Sequence, residues 1–229
     1  TTVDVTLNAG GAVTETSPIL AAGLELLGTG PYTLNLGTNA VTTIAGNTAG
    51  AVSYRDSNAL VVGTVNASVG LVSGGNDITV QSGGTLGITN VITAGAGDIT
   101  LNSSGAVTQT AAVTGAGLEL LGAGSFALTL AGNDVNTIAA NTANTISFRD
   151  ANDLLIGTVN ATSGMVSGGN DITLQTGTTL GVNDVLTTGA GDIILNTGGA
   201  TTQTGAISGT GLELIGKGQN TLYFLSFAL

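Results

Sequence analysis

The sequence predicts an all-β fold, a right-handed parallel β-helix (solenoid) of about ten coils, and three observations lead to it. Short segments alternate apolar and polar residues with a period of two, which indicates strands with one buried face. The chain repeats itself at a fixed interval. Its 38 glycines, 42% hydrophobic residues and 3% aromatic residues suit a thin core with frequent tight turns.

The repeat is visible as one five-residue sequence that occurs three times. Asp-Val-Thr-Leu-Asn at 4–8 returns as Asp-Ile-Thr-Leu-Asn at 98–102 and as Asp-Ile-Ile-Leu-Asn at 192–196. The offsets, 98 − 4 and 192 − 98, are both 94 residues. One continuous solenoid is therefore predicted, with repeat 1 at 4–97, repeat 2 at 98–191 and a partial repeat 3 at 192–229.

A shorter unit lies inside the 94-residue repeat. Strand-like frames start at 98, 117, 145, 171 and 192, at steps of 19, 28, 26 and 21 residues. A step of this size suits one coil of three short strands, so four coils per repeat are predicted. The second and fourth residues of each frame are apolar and are predicted to form the core: Ile99, Leu101, Leu118, Leu120, Ile146, Phe148, Ile172 and Leu174.

An antiparallel β-sandwich of repeated domains is the alternative fold. It accounts for the repeat length, since sandwich domains of about 100 residues are common. It does not account for the shared frame inside the repeat, because sandwich strands need not resemble one another. The unequal coil lengths favour a right-handed β-helix with variable loops over a regular left-handed one.

The ionisable residues exclude several classes of function. The chain has 14 acidic residues and three basic ones, Arg55, Arg149 and Lys217, for a formal net charge of −11. Three bases cannot neutralise a phosphate backbone, so no nucleic-acid partner is expected. Without cysteine or histidine there are no disulfides, Cys/His zinc sites, thiol nucleophiles or histidine bases. No run of 18 apolar residues is present, so no membrane insertion is expected.

Aspartates open several of the predicted strands and are the candidate metal ligands. Asp77, Asp98, Asp171 and Asp192 could bind Ca²⁺ through stacked carboxylates. The motif Gly-Gly-Asn-Asp-Ile, at 74–78 and 168–172, occurs only once per repeat, so turn capping is the favoured interpretation. No other cofactor is expected.

Catalysis and ice binding are both disfavoured by the spacing of the motifs. Arg-Asp at 55–56 recurs at 149–150, and an active site would not be expected in every copy of a repeat. No dense group of acids and bases is present, so an enzyme is not predicted. Thr-X-Thr pairs at 14–16, 108–110 and 202–204 are predicted to recur only every fourth coil, which is too sparse for an ice-binding face.

The C-terminal segment 219–229 departs from the repeat and is richer in aromatic residues. Three interpretations are open: a cap, a strand that joins another subunit, or the end of a piece of a longer chain. The first residue, Thr1, is not methionine, which favours a mature or internal piece. The candidate residues for a subunit contact are Leu222, Phe224 and Phe227.

Several phrases resemble the repeat regions of filamentous-haemagglutinin-like bacterial exoproteins. They include Gly-Asp-Ile-Thr-Leu-Asn at 97–102 and Ile-Ser-Phe-Arg-Asp-Ala-Asn-Asp-Leu at 146–154, and the resemblance extends from 4 to 218. It implies a β-helix shaft at the bacterial cell surface, often exported by two-partner secretion, that serves adhesion, aggregation or biofilm. The family's amino-terminal secretion domain is not recognisable in this sequence.

The first functional hypothesis is a structural extracellular fibre or adhesin shaft. Such a chain continues into a longer one or associates end to end, because open ends of a β-helix carry unpaired strands. The alternative is a module that binds surface glycans through its longer inserts, predicted around 29–50 and 123–144. A β-helix polysaccharide lyase or hydrolase is the least favoured hypothesis.

Overall fold

The computed structural model describes residues 3–222, which form 31 β-strands and no helix. The strands stack in parallel as a β-solenoid of about 11 turns, so the predicted all-β parallel β-helix is confirmed. The hand of the solenoid stays a prediction. None of the described residues belongs to a helix long and apolar enough to cross a membrane. The chain divides into two compact units, Thr1–Ala116 and Gly117–Leu229.

The strands of the first unit are short and closely spaced. They are β1 (Val5–Ala9), β2 (Val13–Thr14), β3 (Leu20–Gly28), β4 (Tyr32–Leu34), β5 (Ala40–Thr48), β6 (Val52–Asp56), β7 (Leu60–Val62), β8 (Thr64–Val65), β9 (Ser68–Val69), β10 (Leu71–Val72), β11 (Ile78–Ser82), β12 (Leu86–Ile88), β13 (Ile92–Thr93), β14 (Ile99–Ser103), β15 (Val107–Gln109) and the start of β16 (Val113–Gly122).

The second unit continues with strands of similar length. They are β17 (Phe126–Leu128), β18 (Asp134–Thr142), β19 (Ile146–Asp150), β20 (Leu154–Ile156), β21 (Thr158–Val159), β22 (Thr162–Ser163), β23 (Met165–Val166), β24 (Ile172–Thr176), β25 (Leu180–Val182), β26 (Leu186–Thr187), β27 (Asp192–Thr197), β28 (Thr201–Gln203), β29 (Ile207–Ser208), β30 (Gly211–Gly216) and β31 (Asn220–Thr221).

Apolar side chains of the first unit stack from one turn to the next. Val13, Tyr32, Val52, Ile78 and Ile99 are register partners on five successive parallel strands. The last four are buried. Because the inner strands pair with the turn before and the turn after, their backbone groups are satisfied while the apolar column is removed from water.

The second unit is built in the same way. A column of Phe126, Ile146, Ile172 and Ile193 continues to Leu212 through parallel pairing. Parallel walls of this kind exclude the antiparallel sandwich. The eight residues predicted for the core are each at most 1% exposed: Ile99, Leu101, Leu118, Leu120, Ile146, Phe148, Ile172 and Leu174.

The 94-residue repeat does not contain a whole number of turns. In the first unit, four turns lead from Val13 to Ile99, a distance of 99 − 13, or 86 residues, which is eight fewer than the repeat. The sequence counterpart of Ile99 is Val5, which lies in another column together with Leu24 and Ile44. The predicted frames therefore occupy more than one face of the solenoid.

Two antiparallel hairpins interrupt the parallel stacking. Strand β8 pairs with β9 in the first unit, and β21 pairs with β22 in the second. At their tips Asn66 and Asn160 have φ angles of 50° and 52°, in the left-handed region that asparagine tolerates better than most residues. The hairpins are thus local excursions from otherwise regular turns.

The prediction of longer inserts around 29–50 and 123–144 is wrong. The first range contains β4 and β5, and the second contains β17 and β18, all of which are strands of the parallel wall. Their apolar side chains point into the core, as the burial of Val41 and Ile138 shows. Glycine, asparagine and threonine between these strands mark ordinary turns of the solenoid and not inserted loops.

Candidate functional site

A polar groove in the first unit is formed by residues from successive turns. Arg55, Gln81 and Asn102 are register partners on β6, β11 and β14. Parallel strands are about 4.8 Å apart, so these side chains form a column of donors and acceptors at that spacing. The groove has a volume of ≈ 380 Å³ and is lined in addition by Gly37, Asp56, Ser57, Ser82, Gly83 and Ser104.

The guanidinium of Arg55 is the one cationic group of this groove. Arg55 is exposed, and within residues 3–222 its side chain has no hydrogen bond or ion pair. It packs over Gly37, where a Cβ atom would lie 3.2 Å from Arg55 Cζ and 3.3 Å from Nη2. The absence of a side chain at Gly37 therefore provides the space that the guanidinium occupies.

The carboxylate of Asp56 lies behind the groove and is only 1% exposed. Its Oδ2 accepts hydrogen bonds from Tyr54 Oη at 2.8 Å and from the Val41 backbone N–H at 2.7 Å. Its Oδ1 accepts one from the Asn58 backbone N–H at 2.8 Å. Burial, together with the hydrogen bond to Asp56, raises the pKa of Tyr54, which keeps the phenol protonated as a donor. Both oxygens of Asp56 therefore already accept hydrogen bonds from within the protein.

The sequence counterpart of this groove, in the second unit, has different chemistry. Asp150 accepts hydrogen bonds from the backbone N–H groups of Val135 at 2.9 Å and Asn152 at 2.8 Å, but Phe148 brings no hydroxyl. Burial raises the pKa of Asp150. Four groove positions also change, since Gly37, Ser57, Ser82 and Ser104 correspond to Ala131, Ala151, Thr176 and Gly198.

A column of hydroxyl groups runs beside the groove. Thr14, Thr33, Ser53, Thr79 and Thr100 are register partners on five turns of the first unit. Of these five residues only Thr14 belongs to one of the Thr-X-Thr pairs noted above. The spacing of those pairs in the sequence therefore did not reveal the column. Together the two columns give the first unit one continuous polar strip.

Glu25 lies beneath the first hairpin and is 4% exposed. It accepts hydrogen bonds from Asn66 Nδ2 at 3.0 Å, Ser68 Oγ at 2.8 Å and Thr6 Oγ1 at 2.8 Å. The bonds from Asn66 and Ser68, followed by that from Thr6, hold the pKa of Glu25 below its usual value. The carboxylate thus ties the hairpin to the solenoid wall.

Glu119 repeats this arrangement in the second unit. It is 5% exposed and accepts hydrogen bonds from Thr162 Oγ1 at 2.6 Å and Asn160 Nδ2 at 3.1 Å. Alternation alone places Glu119 on the outer face, and it is buried because the hairpin covers it. A sequence signal for this contact does exist, because Glu25 and Asn66 are 41 residues apart and Glu119 and Asn160 are separated equally.

Two of the four aspartates considered as calcium ligands accept a backbone hydrogen bond from the next turn of the solenoid. Asp77 Oδ1 accepts a hydrogen bond from the Asp98 backbone N–H at 2.9 Å, and Asp171 Oδ1 accepts one from that of Asp192 at 2.8 Å. Within 3–222, no three His, Cys, Asp or Glu side chains form a group that could hold a metal ion. Calcium binding by these residues stays a prediction.

The candidate subunit contact is described only at its first residue. Leu222 follows β31 and is half-buried. Phe224 and Phe227 lie outside the described residues. A subunit contact through this segment stays a prediction.

No protein-family model matches the sequence, and comparisons with curated proteins and with solved structures give no significant match. The functional proposal is therefore based on the solenoid and the side chains described above.

Proposed function

We propose that the chain is a structural segment of an extracellular fibre or adhesin shaft at a bacterial surface. The parallel, register-matched stacking of turns is the observation that supports this role. A wall of this kind gains length by adding turns, and each new turn contacts only its neighbours. Adhesion, aggregation or support of a biofilm matrix are the roles that the resemblance to filamentous-haemagglutinin-like exoproteins suggests for such a shaft.

The proposed role does not include catalysis. The buried acids Glu25 and Asp56 have their carboxylates engaged by hydrogen bonds from the protein. Acid–base catalysis needs carboxyl groups that face a substrate in an open cleft with separate protonation states. The polar groove offers a guanidinium, amides and hydroxyls in place of such a pair.

Self-association end to end is part of the proposal. The terminal turns of a β-solenoid carry strands with one unpaired edge, and a head-to-tail contact that does not close produces a filament. Negative-stain electron microscopy of the purified full chain tests this. We expect filaments many times longer than one copy at high protein concentration, and discrete short particles at every concentration would contradict end-to-end growth.

A further inference from the structure

We propose that the polar groove of the first unit binds an extended glycan strand that carries one carboxylate among neutral sugars. Arg55 holds the carboxylate, and Gln81 and Asn102 contact the sugar hydroxyls. This site would add ligand recognition to the shaft, and it does not depend on self-association.

The geometry of the groove selects an extended ligand. Its central column is made of Arg55, Gln81 and Asn102, one residue from each of three successive turns. These groups repeat at about 4.8 Å along one direction, so a linear chain of similar units can contact each of them. Ser104 adds a hydroxyl group, whereas the hydroxyl of Ser57 already donates to the Asn39 carbonyl at 2.6 Å. Amides and hydroxyls both donate and accept hydrogen bonds, as sugar hydroxyls do.

The charges of the groove select a ligand with a single acidic group. Arg55 presents its guanidinium without a partner among the described residues, and guanidinium binds carboxylate through two parallel hydrogen bonds. The lining contains no second cation, and Asp56 behind it is already satisfied. The net charge of −11 disfavours a densely charged polyanion.

The chain contains its own comparison site. At the sequence counterpart of the groove, Ala131 replaces Gly37. A methyl group at Gly37 itself would lie 3.2 Å from Arg55 Cζ, closer than most such contacts. Ala151 and Gly198 lack the hydroxyls of Ser57 and Ser104. Arg149 therefore has the same charge as Arg55 in poorer surroundings, and it serves as the matched control.

Calorimetric titration of the full chain with three oligosaccharides tests the proposal. The probes are a neutral trisaccharide, the same trisaccharide with one uronate residue, and a densely sulfated oligosaccharide. We expect saturable binding of the uronate trisaccharide, with R55Q lowering the affinity about tenfold or more because charge-assisted hydrogen bonds are lost. R149Q should bind as the parent does. Circular dichroism should be unchanged in both variants, because the Arg55 side chain is exposed and that of Arg149 is only half-buried.

G37A is the second variant, because it fills the space under the guanidinium without changing any charge. We expect it to weaken binding of the uronate trisaccharide while leaving the fold intact. Three results would each overturn the proposal: R55Q binding as tightly as the parent, tighter binding of the sulfated probe than of the uronate probe, or no saturation by the uronate probe up to about 10 mM.

Discussion

Glu15 is the residue whose buried oxygen is left without a partner. Among residues 3–222, Oε2 of Glu15 is the one buried side-chain polar atom with no hydrogen bond. Oε1 accepts hydrogen bonds from the Leu36 backbone N–H at 2.6 Å and from Asn39 Nδ2 at 3.0 Å. The sequence counterparts Gln109 and Gln203 donate Nε2 to a carbonyl two residues further on. An amide therefore suits this position better than a carboxylate.

We predict that E15Q raises the free energy of unfolding by about 1 kcal/mol. Oε1 of the amide still accepts both existing hydrogen bonds. Nε2 gains a hydrogen bond to the Ser17 carbonyl, which is two residues further on, like the carbonyls that accept from Gln109 and Gln203. Urea denaturation followed by circular dichroism measures the change. The reverse change at the counterpart position, Q109E, should lower the free energy by about 1–3 kcal/mol. A destabilised E15Q would contradict this explanation.

Phe148 and Tyr54 form a natural pair for testing the buried aspartates. Tyr54 donates its hydroxyl to Asp56, and Asp150 has no such donor from Phe148. We predict that F148Y stabilises the chain by about 1 kcal/mol and that Y54F destabilises it by a similar amount. Equilibrium unfolding in urea compares the two variants with the parent. Opposite signs are expected, and a loss of stability in F148Y would contradict the prediction.

The gain from F148Y should depend on pH in a defined direction. Burial raises the pKa of Asp150, so this group favours folding at low pH, and that contribution is lost as the pH rises through the folded-state pKa. A new hydroxyl donor stabilises the charged form. The stabilisation by F148Y should therefore be larger at pH 7 than at pH 3, as urea unfolding at the two values can measure.

At the scale of elements, the hairpin contacts at Glu25 determine how firmly β8 and β9 lie on the wall. We predict that E25A opens this hairpin and accelerates proteolysis between residues 63 and 70, while the parallel wall keeps its circular dichroism. The cause is the loss of the hydrogen bonds that the hairpin residues Asn66 and Ser68 donate to Glu25. E213A is the matched control, since Glu213 occupies the same frame position but is exposed.

Acid should have the same effect as the alanine substitution. The hydrogen bonds that lower the pKa of Glu25 below 4.5 stabilise the hairpin above that value, and this stabilisation is lost as the pH falls through the folded-state pKa. Hydrogen exchange at the Ser68 amide, corrected for intrinsic rates, should show reduced protection at pH 3 relative to pH 6. Equal protection in the parent and E25A at pH 6 would contradict the role assigned to Glu25.

The sequence predicted the strands and the core better than it predicted the contacts between turns. Period-two alternation identifies Ile146 and Phe148 as inward residues because burial depends on local geometry. Which strand of the next turn a given strand pairs with depends on the number of residues in the intervening turn. The hairpins change that number. The groove at Arg55 could not be predicted either, because residues 55, 81 and 102 become neighbours only once the register is known.

At the scale of the whole molecule, the imbalance of 14 acidic and three basic residues controls association. Copies that carry a net charge of −11 repel one another, and added salt screens this repulsion. We predict that raising NaCl from about 20 to 500 mM increases the assembled fraction in sedimentation velocity. No change in the assembled fraction would contradict a role for charge in limiting assembly.

The same measurement separates screening from calcium binding. CaCl₂ at matched ionic strength should act as NaCl does if only screening is involved. A larger effect of CaCl₂, abolished by D77N and D171N together, would support the calcium prediction for these aspartates.

The eight-residue excess of the sequence repeat over four turns has a consequence for how such a protein evolves. Each duplicated copy of a motif is displaced around the circumference by about a third of a turn, as Val5 and Ile99 show within the first unit. A binding motif that arises once would therefore face a different direction in each duplicated copy. Duplication alone, without further mutation, would place the motif on more than one face of the solenoid.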